Sequence, residues 1–157
     1  MVERKAEALV DLLSGPTLRC RTGILLLPKK LLGQEANIAA RLGMDAVDYR
    51  EVLVASLPSG TSFVDIDQDT EFARLDHLTT DVAGSPCFLV CNMDLALAKL
   101  DHSARGQFWD AFLHKLSRRP RAPILAMPDS AEHLLPKLDL WDREERIAVY
   151  TSTDNQE

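Results

Sequence analysis

The chain has 157 residues, 46% of them hydrophobic, and a net charge of −6 at neutral pH. A chain of this length buries roughly 70% of its unfolded surface, so we expect one domain over residues 1–157. The negative charge argues against a general nucleic-acid-binding protein, so we expect direct nucleic-acid binding to be weak or absent. The sequence has no apolar run long enough to span a membrane, no signal peptide and three cysteines in apolar surroundings, which together predict a cytoplasmic protein.

The first half of the chain predicts alternating helices and strands. Apolar residues at helical spacing favour a first helix, and a continuous apolar run then predicts a strand that is buried on both faces. The predicted elements of this half are a helix (2–13), a strand (24–27), a helix (31–42), a strand (45–49), a helix (50–57), an extended edge (61–67) and a helix (72–82).

The second half continues the alternation. It predicts a strand (87–91), a helix from the N-cap Asp101 to 118, a strand (123–128), a short helix (131–140), a last strand (146–150) and a frayed tail (151–157). Strands that alternate with helices predict an α/β fold, a three-layer sandwich around a mostly parallel sheet. Three apolar runs should form the inner strands, 24–27, 88–91 and 124–127.

The loop after the first apolar strand has the layout of a phosphate-binding P-loop. The consensus G-x-x-x-x-G-K-[ST] would fall on residues 28–35. Pro28 stands for the first Gly, Gly33 is kept, Gln34 replaces the Lys, and Glu35 replaces the Ser or Thr. Because Gln34 has no charge to offer a phosphate and Glu35 repels one, this loop is expected to have lost its chemistry.

Two charged groups near these positions leave alternatives open. Lys29 and Lys30 are either solvated loop lysines, the favoured interpretation, or cations that reach an anion. Asp94 follows the second apolar strand, which ends in Cys91 where a metal-organising Asp is expected. Asp94 is therefore either a metal ligand or part of a turn, and we favour the turn.

The remaining motifs favour neither a metal site nor a catalytic site. Asp65, Asp67 and Asp69 alternate, but the EF-hand Gly and Glu do not follow, so a solvated face is favoured. The four histidines are scattered, and Cys87 and Cys91 are poorly spaced for zinc. We expect no catalytic residue and no metal site.

A candidate protein interface lies on and beyond the long helix that Asp101 caps. Trp109 and Leu113 fall off its apolar stripe, and three arginines follow. An exposed Trp beside arginines is typical of interface hot spots, whereas the alternative is a Trp packed under a neighbouring helix. The arginines are either a contact for nucleic acid or an acidic partner, or the charged end of a helix. They are Arg118, Arg119 and Arg121.

Three segments together resemble the small P-loop domains of AAA+ and STAND ATPases. They are the apolar strand with its altered loop (25–35), the strand and turn from Phe88 through Cys91 to Asp94, and the strand 124–128. Length and element order are also similar to the small P-loop protein of BREX phage-defence systems. The resemblance covers about residues 20–150 and implies a bacterial cytoplasmic protein in a multi-subunit assembly. It does not imply ATPase activity, because the catalytic positions differ.

Three hypotheses about function follow. In the first, the chain is a non-hydrolysing P-loop-like adaptor that binds protein partners and no cofactor, with self-association left open. In the second, it is an ATP-binding ATPase that uses magnesium and a deviant loop, in which Lys29 or Lys30 replaces the missing Lys. The nucleotide ligands would then be Lys29, Lys30, Gly33, Gln34 and Asp94. In the third, it is an α/β domain unrelated to nucleotide-binding proteins. Three altered positions favour the first.

Overall fold

In a computed structural model, described over residues 5–57, 66–80 and 84–150, the core is one parallel β-sheet. Its order is β2-β3-β4-β1-β5, and every pair of neighbouring strands is parallel. This confirms the predicted α/β fold. The strands are β1 (Gly23–Leu27), β2 (Asp45–Asp48), β3 (Cys87–Cys91), β4 (Ala122–Pro128) and β5 (Ile147–Val149).

The three inner strands are the three apolar runs of the sequence. β1, β3 and β4 occupy the middle of the sheet, where side chains on both faces are covered by helices. Leu25 lies opposite Ala126, and Leu89 lies opposite Ile124. The prediction of the inner strands is therefore confirmed, because only a strand between two helical layers can be apolar at every position.

The described part of the chain contains seven α-helices, and none is long and apolar enough to cross a membrane. They are α1 (Ala6–Ser14), α2 (Glu35–Arg41), α3 (Tyr49–Ala55), α4 (Gln68–Leu78), α5 (Met93–Leu97), α6 (His102–His114) and α7 (Leu138–Arg143). Two short 3₁₀ turns cover Lys29–Leu31 and Glu132–Leu134.

The helices form two layers with separate hydrophobic cores. α1 and α2 cover one face of the sheet through Leu9, Leu13 and Ile38. Helices α3 to α7 supply the core of the other face, which centres on aromatic residues such as Phe108 and Trp141. The sandwich therefore has three layers, as the sequence predicted.

Several predicted elements differ in detail. The helix expected over 31–42 begins only at Glu35, because the 3₁₀ turn and Gly33, with φ of 92°, come first. The helix expected over 131–140 is divided into a 3₁₀ turn and α7, with Pro136 between them. Helix α5 was not predicted, because it has only five residues and directly follows the turn at Asn92, so its apolar pattern is too short to indicate a helix.

Other predictions fall partly outside the described residues. The extended edge expected over 61–67 lies mostly in 58–65, which are not described. Its last two residues, Ile66 and Asp67, are not in a strand, and the Asp67 carboxylate caps α4 by accepting a hydrogen bond from the Thr70 N–H at 2.9 Å. The ends of the chain, 1–4 and 151–157, and residues 81–83 also lie outside the description.

Candidate functional site at the carboxyl edge of the sheet

The parallel strands bring the loop after β1, which was compared above with a P-loop, and the end of β3 to one place. Carboxyl ends of parallel strands meet at the same edge of a sheet, and ligands of open α/β proteins bind there. A cavity of about 500 Å³ lies at this edge, and we call it the carboxyl-edge cavity. Its lining includes Leu32, Gly33, Glu35, Asp48, Arg50, Glu51, Cys91, Asn92 and Asp94.

The direction of the connections explains why a crevice forms here. The chain leaves β1 toward α2 on one face of the sheet, whereas it leaves β2 and β3 toward helices on the opposite face. Loops that diverge to opposite faces leave a gap above the strand ends. The altered loop borders this gap on one side and the turn at Asn92 on the other.

Within the loop, the backbone N–H groups are used by the loop itself. The N–H of Leu31 donates to the Pro28 carbonyl at 2.9 Å, and that of Leu32 donates to the Lys29 carbonyl at 3.2 Å. The Gln34 N–H donates to the Leu31 carbonyl at 3.1 Å. A P-loop binds phosphate by pointing such groups at the ligand, and here they point at carbonyl oxygens of the same turn.

Gly33 supplies a further N–H group, and its partner is the residue that replaces the Ser or Thr. The Gly33 N–H donates to Glu35 Oε1 at 3.1 Å. A carboxylate accepts this hydrogen bond as a phosphate oxygen would, so Glu35 occupies with its own charge a position that an anionic ligand would need. Any phosphate would have to displace this carboxylate and then tolerate its charge.

Carboxylates dominate the charge of the carboxyl-edge cavity. Glu35, Asp48, Glu51 and Asp94 line it, with Arg50 as the basic lining residue. Burial raises the pKa of Asp94 above its ordinary value, and the nearby Glu35 charge raises it further. Such an environment repels phosphate oxygens.

Cys91 lies among these carboxylates at the end of β3. Burial raises the pKa of its thiol to about 11, and the charges of Asp48 and Glu35 add to the effect. The thiol is therefore neutral at physiological pH, and a neutral thiol is a weak nucleophile and a weak metal ligand. The position that would carry an Asp in a nucleotide hydrolase holds an uncharged, half-buried side chain.

Asp48 organises the neighbouring strand end. Asn92 Nδ2 donates to Asp48 Oδ1 at 2.9 Å, and the Arg50 guanidinium pairs with Asp48 Oδ2 at 3.1 Å. Burial acts to raise the pKa of Asp48, but the hydrogen bonds from Arg50 and Asn92 outweigh it and hold the pKa below its ordinary value. Asn92 reaches this position in a left-handed conformation with φ of 64°. The network ties the ends of β2 and β3 together.

The proposed nucleotide ligands are only partly brought together. Gly33 and Asp94 line the cavity, whereas Lys29, Lys30 and Gln34 do not. Both lysines are exposed on the 3₁₀ turn, and the Gln34 side chain makes no capping hydrogen bond to α2. The charge that the deviant-loop hypothesis requires therefore lies outside the cavity in this conformation.

The structure also corrects the expected interface on α6. Trp109 is only 3% exposed, its Nε1 donates to the Leu134 carbonyl at 2.8 Å, and it packs edge-on against Trp141. Leu113 is buried as well. Trp109 thus corresponds to the core alternative, because the turn Glu132–Leu134 and α7 cover the flank of α6 that the helical spacing left open.

The three arginines beyond α6 have different environments. Arg121 is buried, pairs with Asp45 at 2.9 Å and lies over the Phe88 ring. Arg119 pairs with Asp76 at 2.7 Å, and Arg118 is exposed. These residues therefore do not form one exposed patch, and Arg121 is part of the fold.

Several residues of the site were not found from the sequence. The sequence did not predict Asp48, Arg50 and Glu51 as site residues, because β2 is short and its hydrophobic pattern is weak. Asp48 could have been predicted from its position, because it is an acidic residue at the end of a strand. The same reasoning selected Asp94. Asn92 was assigned only to a turn, although its side chain links two strands.

Within the described residues, no three His, Cys, Asp or Glu side chains lie close enough together to hold a metal ion. Comparison with known proteins adds no relative to these observations. No protein-family model matches the chain, and no curated protein matches it.

Proposed function

We propose that this chain is a non-hydrolysing P-loop-like adaptor, which acts in a bacterial cytoplasmic assembly by binding protein partners. The observation that carries the proposal is the Glu35 carboxylate on the Gly33 N–H, at 3.1 Å. This carboxylate uses the N–H group that a phosphate-binding loop would offer to its ligand. The resemblance to AAA+ and STAND ATPases supplies the expectation of a multi-subunit complex, in phage defence or nucleic-acid processing.

Exposed apolar side chains support a protein partner at the same edge. Three large hydrophobic side chains are exposed among the described residues, namely Leu32, Val54 and Leu95. Leu32 follows β1, Val54 lies on the helix after β2, and Leu95 lies on the helix after β3. Since exposed apolar groups gain free energy when a partner covers them, this edge is the surface we assign to docking.

Affinity purification from the native cell, combined with cross-linking mass spectrometry, tests the adaptor proposal. We expect cross-links from a defined partner to Lys29 and Lys30, which flank the docking surface. The pair Leu32→Asp with Leu95→Asp should remove that partner, because two charges would have to be buried in the interface. Gln107→Asp, an exposed change on α6, is the matched control and should retain it.

The same experiment can contradict the proposal. If the Leu32→Asp, Leu95→Asp variant keeps its melting temperature and captures the partner as well as the unmodified protein, this edge is not the docking surface. Cross-links that map only to α1 or to the outer face of α6 would have the same meaning.

Calorimetry with magnesium ATP separates the adaptor from the deviant ATPase. We expect no saturable binding at micromolar concentration, because a lost charged phosphate contact costs on the order of 2–5 kcal/mol. If tight binding is found, the variant Lys29→Ala, Lys30→Ala decides whether a displaced lysine supplies the charge. Tight binding that depends on these lysines would establish the alternative function.

A further inference from the structure

Although the net charge of −6 disfavours nucleic-acid binding by the surface as a whole, we propose that the amino edge of the sheet binds the phosphodiester backbone of nucleic acid. An open cleft of about 710 Å³ lies there, and among the described residues its lining includes four arginines and no acidic residue. We call it the arginine cleft. It is at the opposite end of the strands from the carboxyl-edge cavity, so the proposal does not rest on the proposed function. The arginines are Arg19, Arg21, Arg118 and Arg119.

Two segments far apart in the sequence build this cleft. One is the linker that enters β1, and the other is the linker that enters β4. An antiparallel bridge pairs Cys20 with Ser117, and the Arg118 N–H donates to the Arg19 carbonyl at 3.1 Å. These contacts place the backbones of Arg19 and Arg118 side by side. Arg118 adopts a left-handed conformation, with φ of 56°, to do so.

Two of the four arginines are held by the fold. Arg21 Nη1 donates to the Leu13 carbonyl at the end of α1, at 3.1 Å, and its Nη2 donates to the Arg119 carbonyl. The Arg119 guanidinium pairs with Asp76 at 2.7 Å, and this hydrogen bond raises the pKa of Arg119. Both guanidinium groups are fixed in the wall of the cleft. Arg21 contributes its charge there, whereas the Asp76 carboxylate offsets much of the charge of Arg119.

The other two are available to a ligand. Arg19 and Arg118 are exposed, and neither side chain has a hydrogen bond or an ion pair with any described residue. A guanidinium group presents a planar set of donors that matches two phosphate oxygens. Arg19 and Arg118 have neighbouring backbones and line the same cleft as the two fixed arginines, so the cleft is suited to neighbouring phosphates.

The rest of the lining favours nucleic acid over an acidic protein. Protein interfaces depend on buried aromatic or aliphatic anchors, and the larger apolar groups that the described residues supply to this cleft are Leu18 and Pro16. Nucleic-acid interfaces are instead polar and positively charged. None of the lining residues in the described part of the chain is aromatic, so they offer no platform for base stacking, and we infer binding that is independent of base sequence.

Fluorescence anisotropy with a labelled single-stranded oligonucleotide at low salt tests the proposal. The charge-reversed variant Arg19→Glu, Arg118→Glu should bind roughly tenfold or more weakly, since two phosphate contacts become repulsive. The slope of log K against log salt should fall by about 1.4, that is 0.7 for each lost contact. The milder variant Arg19→Gln, Arg118→Gln should also bind more weakly than the unmodified protein, but by a smaller factor. Melting curves should show that both variants are folded.

The matched control carries the same change of charge at the opposite edge. Lys29→Glu with Lys30→Glu alters two exposed residues, and it should weaken binding by less than about threefold, because the interaction of distant charges is screened by salt. Equal losses in the two charge-reversed variants would overturn the proposal, as would no binding by the unmodified protein. Equally strong, Arg19-dependent binding of a polyglutamate peptide would also overturn it and would identify an acidic protein as the partner.

Discussion

The two edges of the sheet differ in charge and in the way their polar groups are used. At the carboxyl edge, four carboxylates line the cavity, and loop N–H groups are bonded within the loop. At the amino edge, four arginines line a cleft to which residues 5–57, 66–80 and 84–150 contribute no acidic side chain. The usual ligand edge of an α/β protein is thus unsuited to phosphate in this chain, and the opposite edge has the suitable charge.

This difference shows that a fold alone does not determine where a ligand binds. The carboxyl edge has the crevice that divergent connections always provide, but the residues in it repel the ligand that such crevices often hold. The amino edge has no crevice of topological origin. Its cleft arises from two linkers that meet through the bridge between Cys20 and Ser117.

The greatest loss of stability is expected when an arginine that belongs to the fold at the amino edge is replaced, in contrast to the arginines proposed to bind a ligand. Arg146 is 2% exposed, and it donates to the carbonyls of Thr22 and Leu113. Arg146→Met should lower the free energy of unfolding by about 3 kcal/mol or more, because these buried acceptors lose their partner. Urea denaturation measures this. The exposed Arg143→Met is the control, and a similar loss there would contradict the assignment.

A smaller effect tests the crowding of negative charge at the carboxyl edge. Cys91→Asp restores the residue type of a nucleotide hydrolase, but it adds a carboxylate near Asp48 and Glu35. We expect a loss of about 1–2 kcal/mol in the free energy of unfolding at neutral pH, and less at acidic pH, where the new carboxyl is protonated. Cys91→Ser, measured alongside, has no charge and should lose less. A Cys91→Asp protein as stable as the unmodified one would refute this description.

The smallest effect concerns Asp94 and has a defined pH dependence. The pKa of Asp94 is raised in the folded protein from the ordinary value of 3.8. Between the ordinary pKa and the raised pKa, the folded state therefore binds more protons than the unfolded state. Stability is therefore lost as pH rises through that window. Asp94→Asn should raise the melting temperature at pH 7, and the gain should disappear below the ordinary aspartate pKa. Asp101→Asn is a suitable control, and a gain that persists in acid would exclude charge as its cause.

Much of the fold could be predicted because its strands are apolar on both faces. That pattern identified β1, β3 and β4, and it also identified their central position. Helices whose hydrophobic spacing is interrupted by Gly or Pro were harder to predict. Gly33 interrupts the helix expected over 31–42, and Pro136 divides the one expected over 131–140, since local backbone conformation overrides helical spacing at these residues.

The site could be predicted only where it follows a strand that was itself clear. Glu35, Cys91 and Asp94 were found in this way, whereas Asp48 follows a weak strand and was missed. The burial of Trp109 depends on contacts with the turn at Leu134 and with α7, which no spacing within α6 reveals. The sequence pointed to Arg118 and Arg119 of the arginine cleft but not to Arg19 and Arg21, because two separate linkers build the cleft.

We predict that phosphate groups of nucleic acid bind at the amino edge of the sheet and not at the loop after β1. The ¹⁵N-labelled protein would be titrated with the single-stranded oligonucleotide and, in a second sample, with magnesium ATP, and amide chemical shifts would be followed in NMR spectra. The oligonucleotide should shift Arg19, Cys20, Ser117 and Arg118, and neither ligand should much change Gly33, Gln34 or Asn92. Saturable shifts confined to Gly33, Gln34 and Asn92 would contradict the account and restore the carboxyl edge as a nucleotide site.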